Sequence, residues 1–356
     1  MTSNISWEII ETIDELITYE HQWRALSQKS PDGFFTSPDW ILKWIKVFWQ
    51  EDWQLSVILG LVDNKLSIFA PLYTQTKMTL GIKQTVLLPL GQGEIESAEV
   101  ASEFQDILVS TRSDDLYVLI ASKINNLTYD MMTWRAVSST ANLLNILKYI
   151  PTSKVAVEGT RYTINKTSSI KYSPSKNNRY KWNKCQKQLL KNNAHFFWAD
   201  KNQLNKYWLK LKELHTNRWR LKSKRGAFTE PSFNAFHTKL IALEHCKISV
   251  LTVEGKMAAI NYYIVDNGCL YFYQSGWENN YSSFSPGFAL HMWSIENTKL
   301  DYYDFMMGNK KQSYKSRYGC NHLDDMHNVK VTNSPIKYLI SKLINKITLL
   351  INHKQS

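Results

Sequence analysis

The sequence predicts a mixed α/β (α+β) protein with two tandem domains, each built from a largely antiparallel sheet flanked by helices. Segments with apolar residues at helical spacing alternate with short segments rich in β-branched and aromatic residues. Turn-forming pairs such as Asp63-Asn64 and Glu254-Gly255 separate neighbouring strand-like segments. Both halves repeat one order of elements, with helices first, antiparallel strands next, and a helix and strand last. This repetition indicates a duplicated architecture.

Residues 1–155 are predicted to form the N-terminal domain, which we expect to be non-catalytic. Its first clear helix lies near residues 38–49, where Trp40, Trp44 and Phe48 recur at helical spacing. The further predicted elements are strands at 55–62, 66–73 and 83–90, a helix at 114–125, a strand at 130–136 and a helix at 140–149. Together they predict one α/β unit.

Residues 156–330 are predicted to form the C-terminal domain, with a basic helical insertion at 172–225. In chain order, its predicted elements are a strand at 154–164, helices at 172–193, 202–221 and 232–244, strands at 248–254, 256–265 and 269–275, a helix at 287–299 and a strand at 302–306. Only this half contains the turn Ser285-Pro286-Gly287 between a strand and a helix. We therefore predict that the active site lies here.

The turn before the 287–299 helix predicts an anion-binding site. A helix N-terminus leaves unpaired N–H donors and carries about half a positive charge. A pyrophosphate can bind there without a dedicated lysine. Ser285, Pro286, Gly287 and Phe288 are therefore the predicted cofactor-binding residues.

Positive charge is concentrated in one part of the chain. Between Thr160 and Gly226 there are 18 Lys or Arg residues and two acids, Asp200 and Glu213, which gives +16. The whole chain carries +12, so the remainder is net −4. The stretch is either a solvated helix face or a surface for a polyanion, such as coenzyme A phosphates, a lipid pyrophosphate, anionic headgroups or nucleic acid.

The composition excludes a disordered protein, since 44% of the residues are hydrophobic and the chain has 13 Trp, 19 Tyr and 14 Phe. The four cysteines show no metal-ligand spacing and predict reduced thiols, so we expect no metal. The sequence shows no signal-peptide pattern and no apolar run long enough to span a bilayer. We therefore expect a cytoplasmic protein.

The segment 335–352 has a separate pattern. Apolar residues recur at i, i+3, i+4 and i+7, with Lys337, Lys342 and Lys346 on the opposite side. This pattern predicts a C-terminal amphipathic helix. It either packs on protein or lies on an anionic membrane, which would place the protein at the inner face of the membrane.

Several short motifs occur in a characteristic order. They are Ser275-Gly276-Trp277-Glu278, Tyr281, Ser285-Pro286-Gly287, Asp304-Phe305, Gly308, Tyr314-Lys315 and Tyr318-Gly319, preceded by Asn217-Arg218-Trp219. In this order the sequence resembles the GNAT-fold acyltransferases of the cellulose-biosynthesis (CelD/BcsL) type, which are distantly FemAB-like. The resemblance covers most of residues 34–330. It differs after Gly308, where relatives usually carry acidic residues and a Pro.

The resemblance implies roles for particular residues. The pantetheine arm of coenzyme A would lie between strands 269–275 and 301–306. Tyr314 would protonate the leaving thiolate or serve only as a packing aromatic, and each of the other residues also has a structural alternative. The catalytic candidates are Tyr314, Asp304 and Lys315, with Asp304 either a base or an ion-pair partner of Lys315; the substrate-binding candidates are Arg218, Trp219 and Glu278.

These observations predict an acyl-CoA-dependent N-acyltransferase. An amine would attack the thioester of acetyl-CoA or a longer acyl-CoA directly. The family implies an amino sugar or glycan precursor from polysaccharide or cell-envelope synthesis as acceptor. Two alternatives stay open: a FemAB-type transferase that uses aminoacyl-tRNA, and a non-catalytic scaffold that docks on a membrane-bound synthase.

Overall fold

The structure is a computed structural model that describes residues 5–79, 81–169, 172–221, 226–308 and 313–335. The chain divides into two compact units. Of the described residues, unit 1 contains 5–94, 101–158 and 326–335, and unit 2 contains 95–100 and 159–325, with the internal gaps given above.

Unit 1 contains helices and two sheets. Its elements are β1 Ser6–Ile10, α1 Ile13–Thr18, α2 Glu20–Ser27, α3 Pro38–Phe48, β2 Gln54–Leu55, β3 Val57–Val62, β4 Lys65–Ala70, β5 Leu72–Thr79, β6 Ile82–Pro89, β7 Leu108–Val109, α4 Asp114–Asn125, β8 Met131–Ser138 and α5 Asn142–Ile146. Two further strands run through the division between the units, β9 Ser153–Asn165 and β15 His322–Thr332. One sheet of unit 1 has the order β1-β3-β4-β7. In the other, the strand order within unit 1 is β15-β8-β6-β5-β2.

The strand predicted at 66–73 is wrong, because it is two strands. β4 ends at Ala70 and pairs with β3, whereas β5 begins at Leu72 and pairs with β6 in the other sheet. Pro71 stands between them. Proline has no N–H to donate to a sheet, so a strand tends to break there. Sequence reasoning also missed β1, α1, α2 and β7.

Helix α3 shows how the sequence builds the core of unit 1. It begins with Pro38, whose fixed φ suits the first helical position. Trp40, Trp44 and Phe48 are buried along one side, as their spacing predicts. A second cluster of buried residues joins α4 and α5 to β8 through Ile120, Trp134 and other apolar side chains. The predicted helix at 114–125 is α4.

Unit 2 contains one sheet with the order β10-β11-β12-β13-β14-β9. Its further elements are α6 Lys176–Lys191, β10 His195–Trp198, α7 Leu204–Arg220, α8 Pro231–Ile241, β11 Cys246–Val253, β12 Lys256–Asp266, β13 Cys269–Trp277, α9 Pro286–Asn297 and β14 Tyr302–Gly308. β11, β12 and β13 form the predicted antiparallel meander. β14 lies parallel to β13 and antiparallel to β9. β10 and β15 were missed.

Helices α7 and α9 pack against the central strands of unit 2. A Cβ on Gly276 of β13 would lie 2.8 Å from the Cβ of Leu214 in α7, so only glycine permits this close approach. Leu290 and Ile295 of α9 are buried with Tyr263 and Tyr303 in the core cluster. Helices therefore flank the sheet that carries the Ser-Pro-Gly turn.

The predicted mixed α/β class, with sheets flanked by helices, is confirmed. No helix within the described ranges is long and apolar enough to cross a membrane. The predicted tail helix at 335–352 lies beyond Pro335, outside the described residues.

Candidate active site

The parallel strands β13 and β14 separate from each other. Their pairing covers Cys269↔Tyr302, Leu270↔Tyr303 and Tyr271↔Asp304, and no further pair joins them within the described residues. β13 continues to Trp277, still paired with β12 on its other edge. β14 bulges at Met306, whose φ is +60°. We call the gap between the two strands the splay. Its edges can pair with an extended, amide-containing ligand.

Helix α9 begins with open backbone donors. Ser285 is the N-cap in the left-handed region, with φ of 50°, and its side chain forms no cap hydrogen bond. Ala289 N–H donates to the Ser285 carbonyl at 3.0 Å. Within the described residues, the N–H groups of Gly287 and Phe288 have no acceptor, and the first turn contains no acid. The helix N-terminus is therefore open to an anion.

Trp277 joins this helix start to the end of β13. A Cβ on Gly287 would lie 3.3 Å from Trp277 Cδ1. Glycine therefore lets the indole lie directly against the first turn of α9. The open amides and the splay belong to one place in unit 2.

Phe288 forms a second link around the α9 start. Its ring stacks on Tyr318 with centroids 5.5 Å apart, and Tyr318 stacks on Phe305 of β14 at 4.7 Å. Lys181 of α6 places Nζ 4.6 Å from the Phe288 ring centroid. An anion at the α9 start would therefore also be near a cation of the basic helix.

Arg218 lies against Trp277 and next to Tyr314. The Arg218 Cζ atom is 5.1 Å from the Trp277 ring centroid. Burial lowers the pKa of Arg218, and the nearby Tyr314 opposes this shift. No acid within the described ranges pairs with Arg218, and every Asp and Glu of the chain falls within those ranges. A half-buried guanidinium without a carboxylate can donate hydrogen bonds to a substrate.

Tyr314 has the properties of a proton donor. Desolvation raises the pKa of Tyr314 to about 12, and the positive charge of Arg218 opposes the increase. The side chain nevertheless keeps 46% of its surface exposed. Because its pKa is raised, the Tyr314 hydroxyl stays protonated at neutral pH, and because the side chain is partly exposed, a substrate can contact it. Its hydroxyl has no hydrogen-bond partner within the described residues.

Glu278 follows Trp277 at the end of β13. Its backbone N–H donates to Ala258 at 2.9 Å, which continues the pairing with β12. Its side chain is half-buried and forms no ion pair or hydrogen bond in the described part of the chain. The carboxylate is therefore available to an amine.

Asp304 is held by its own neighbours. It is fully buried, and Oδ2 accepts from Arg161 Nε at 2.5 Å and from Thr163 at 3.1 Å. Oδ1 accepts from the Met306 N–H at 2.5 Å. These contacts fix the β14 bulge. They favour the structural ion pair, with Arg161 as the partner that sequence reasoning missed.

Lys315 also binds the bulged part of β14. Its Nζ donates to the Met307 carbonyl at 2.5 Å and also to the Phe305 carbonyl. A cation bound to strand carbonyls stabilises the separation of β14 from β13. The catalytic role suggested for Lys315 stays a prediction.

Trp219 lies in an aromatic cluster. Its Nε1–H donates to His215 Nε2 at 2.9 Å, and burial, with a smaller effect of Arg218, lowers the pKa of His215 to about 4. The structure brings Arg218 to Trp277 and places Trp219 with His215. Sequence reasoning missed Trp277 as a functional residue, although it lies inside the motif that ends at Glu278.

The sequence and the fold match known proteins. Residues 176–316 match the family model described as an acetyltransferase (GNAT) domain. FemX shares the fold with a TM-score of 0.59 at 12% identity, covering 94% of this chain and 100% of that chain. A conserved protein of unknown function from Bacteroides thetaiotaomicron VPI-5482 has a TM-score of 0.58 at 11% identity, covering 91% and 100%.

A third structure is the C-terminal domain of a putative lysylphosphatidylglycerol synthetase from Agrobacterium fabrum. It has a TM-score of 0.53 at 8% identity and covers 91% of this chain and 94% of that chain. No curated protein matches the sequence. Residues 176–316 are therefore similar to a GNAT domain, and this match supports an acyltransferase. The finer CelD/BcsL type stays a prediction.

The described part of the chain contains no group of His, Cys, Asp or Glu residues that could hold a metal ion.

Proposed function

We propose that the protein transfers an acyl group, acetyl or longer, from acyl-CoA to the amine of a sugar or glycan precursor used in polysaccharide or cell-envelope synthesis. The observation that carries the proposal is the pair of open amides at Gly287 and Phe288, set beside the splay. An anion and an extended amide chain are the two chemical parts of coenzyme A that these features fit.

The donor would bind along this axis. The pyrophosphate accepts hydrogen bonds from the Gly287 and Phe288 amides, with Lys181 nearby to add positive charge. The pantetheine arm lies in the splay and pairs with the free edge of β13. A backbone N–H there can bind the thioester oxygen as negative charge develops on it.

The chemistry needs one proton acceptor and one proton donor. The amine nitrogen forms a bond to the thioester carbon, and the C–S bond then breaks. Glu278 accepts the proton from the amine, and Tyr314 gives its proton to the thiolate. Arg218 donates to oxygen atoms of the acceptor. Asp304 and Lys315 keep the strands apart and thereby hold the splay open.

The 335–352 segment would carry the protein to the membrane where such acceptors are assembled. Its pattern of apolar residues with lysines opposite supports contact with anionic lipid. Deleting it should weaken binding of the protein to anionic vesicles and leave turnover in solution unchanged. Unfolding or a changed oligomeric state of the truncated protein would contradict this.

Ligand binding tests the donor. Calorimetry and thermal shift should show binding of acetyl-CoA or a longer acyl-CoA, because a ligand held only by the folded state raises its stability. A panel of amino sugars with a thiol-release assay then identifies the acceptor. Binding of tRNA without binding of acyl-CoA would reject the proposal in favour of the aminoacyl-tRNA alternative.

Gly287→Asp tests the donor site. A carboxylate would face the pyrophosphate and should weaken binding of acyl-CoA by more than about tenfold. Gly287→Asn is the matched control, because it has the same size and makes the same contact with Trp277 without the charge. Equal affinities of the two variants would show that the phosphates bind elsewhere.

A further inference from the structure

Helix α6 carries an uncompensated positive charge. Six of its 16 residues are Lys or Arg, and no acid occurs from Gly159 to Ala199. None of the six cations has a carboxylate partner within the described residues, and every Asp and Glu of the chain is described. Solvated helices normally gain from Glu–Lys pairs one turn apart. This helix has none.

The arrangement costs helix stability. Lys181, Lys184 and Lys187 follow one another at intervals of three residues, and like charges at that spacing repel by a few tenths of a kcal/mol per pair. Lys176 is the first residue of the helix, where the macrodipole disfavours a cation. Binding of an anionic partner to these cations would relieve the repulsion.

The charges form a stripe on the outer face. Trp182, Cys185 and Leu189 bury the inner face of α6. At 100° per residue the opposite face holds five residues, which we call the lysine stripe: Lys176, Tyr180, Lys184, Lys187 and Lys191. At about 1.5 Å per residue the stripe is roughly 22 Å long.

Exposed apolar groups accompany the stripe. Tyr180 lies within it and has 71% of its surface exposed, and Leu190 on its flank has 63% exposed. Tyrosine, leucine and lysine together suit a membrane interface, where the rings and aliphatic chains enter the headgroup region and the ammonium groups meet phosphates. A nucleic acid backbone would use the lysines and the tyrosine ring but not the leucine.

We propose that the lysine stripe of α6 docks unit 2 on an anionic lipid surface. Phosphate groups of the headgroups would neutralise the lysines, and Tyr180 and Leu190 would insert between headgroups. The stripe excludes Lys181, which faces Phe288 at the α9 start. Docking is therefore independent of acyl transfer.

Vesicle flotation tests the proposal on the full chain. Vesicles of phosphatidylcholine, with and without phosphatidylglycerol, are compared for the parent and for the triple variant Lys184→Gln, Lys187→Gln, Lys191→Gln. The variant should lose at least about tenfold in partitioning onto the anionic vesicles. The difference in partitioning between the parent and the variant should become smaller at high salt, because salt screens the attraction of the parent's lysines to the anionic headgroups. Tyr180→Ser with Leu190→Ser should weaken binding at high salt as well.

The matched control is Lys206→Gln, Lys210→Gln, Lys212→Gln on α7, which removes the same charge from the same unit. It should bind vesicles like the parent. The segment 335–352 is identical in every variant, so a difference reports on α6 alone. Equal loss in the control, or parental binding by the stripe variant, would overturn the proposal. So would binding of RNA through the same lysines without binding of the protein to anionic vesicles. Circular dichroism checks that each variant is folded.

Discussion

Among the described strands, each unit has a pair of parallel strands connected through a helix. In unit 1, β6 and β8 pair at Val86↔Met131 and Leu87↔Met132, with α4 between them in the chain. In unit 2, β13 and β14 pair over three residues, with α9 between them. The later strand of each pair has a non-glycine residue with positive φ, Ala136 at 50° and Met306 at 60°. The two units therefore share a local design.

The units differ in what fills the space beyond the paired residues. In unit 1, Gln92 donates to the Arg135 carbonyl at 2.8 Å and accepts from the Arg135 N–H at 3.0 Å. Its side chain takes the place of a neighbouring strand. The N-terminus of helix α4 is capped by the chain itself. Ser113 accepts from the Leu116 N–H at 3.3 Å, and two acids lie in the first turn of the helix.

In unit 2 the corresponding helix start lacks both a side-chain cap and an acid. The first unit satisfies its backbone with its own side chains, whereas the second leaves amides for a ligand. Buried or half-buried donors cost free energy unless they are paired. The difference supports the prediction that unit 1 is a scaffold, and the unpaired donors of unit 2 support the proposed ligand site.

Acid should affect the two units in opposite directions. Burial lowers the pKa of His215 to about 4 and the pKa of His237 and His291 to about 3, all in unit 2. Below pH 6.5 these histidines bind protons in the unfolded chain but stay neutral in the folded protein. The free energy of unfolding should fall by roughly 2 kcal/mol per histidine at pH 5. In unit 1, burial raises the pKa of Asp106 to about 6, so its folded form gains the proton first and stability rises by about 1 kcal/mol.

Hydrogen-exchange mass spectrometry, corrected for the intrinsic rate, resolves the two units between pH 7 and pH 5. Unit 2 should open first. His237→Phe keeps the ring within the aromatic cluster and should remove about a third of the acid loss. Loss of protection in unit 1 before unit 2 would contradict the predicted difference in acid stability between the units.

Removing one hydroxyl in unit 2 should slow acyl transfer, whereas removing a hydroxyl in unit 1 should affect stability alone. Tyr314→Phe should lower turnover by about 10² to 10⁴, with little change in acyl-CoA affinity, since it deletes one proton donor. The control is Tyr73→Phe in unit 1, whose hydroxyl donates to the Gln92 carbonyl at 2.6 Å. That variant should lose stability and keep turnover. Parental turnover of Tyr314→Phe across pH would show that Tyr314 only packs.

Removing the Gln92 side chain, which pairs with the Arg135 backbone in unit 1, should have the smallest effect. Gln92→Ala leaves the Arg135 backbone without its partners and should cost about 1 kcal/mol of unfolding free energy. Gln92→Glu keeps the acceptor for the Arg135 N–H and should lie between the parent and the alanine variant. Urea denaturation measures the series, and turnover should stay constant. A loss of acyl-CoA binding in Gln92→Ala would place a ligand in unit 1.

Much of the fold could be predicted because local patterns decide it. Asn267-Gly268 lies between β12 and β13, and both residues have positive φ, as a tight turn requires. Ser285-Pro286-Gly287 starts α9 where predicted, since proline suits the first turn. The break at Pro71 could have been predicted by the same reasoning, because proline was visible in the sequence.

The candidate site was predicted less completely. Its glycine turn, Tyr314, Arg218 and Glu278 follow from ordered motifs. The contact of Arg218 with Trp277 joins two elements that are far apart in the chain. Nothing local to Asp304 shows that Arg161, 143 residues away, is its partner.

Helices such as α3, α4 and α9, the turns, the open helix start and the concentration of positive charge follow from the sequence, because each depends on neighbouring residues. Tertiary structure decided which residues share a site. Strand pairing stops after Tyr271 because β14 bulges, and the bulge is held by Arg161 and Lys315. Those contacts arise from strands and turns that come together only when the chain is folded, so no local pattern could specify them.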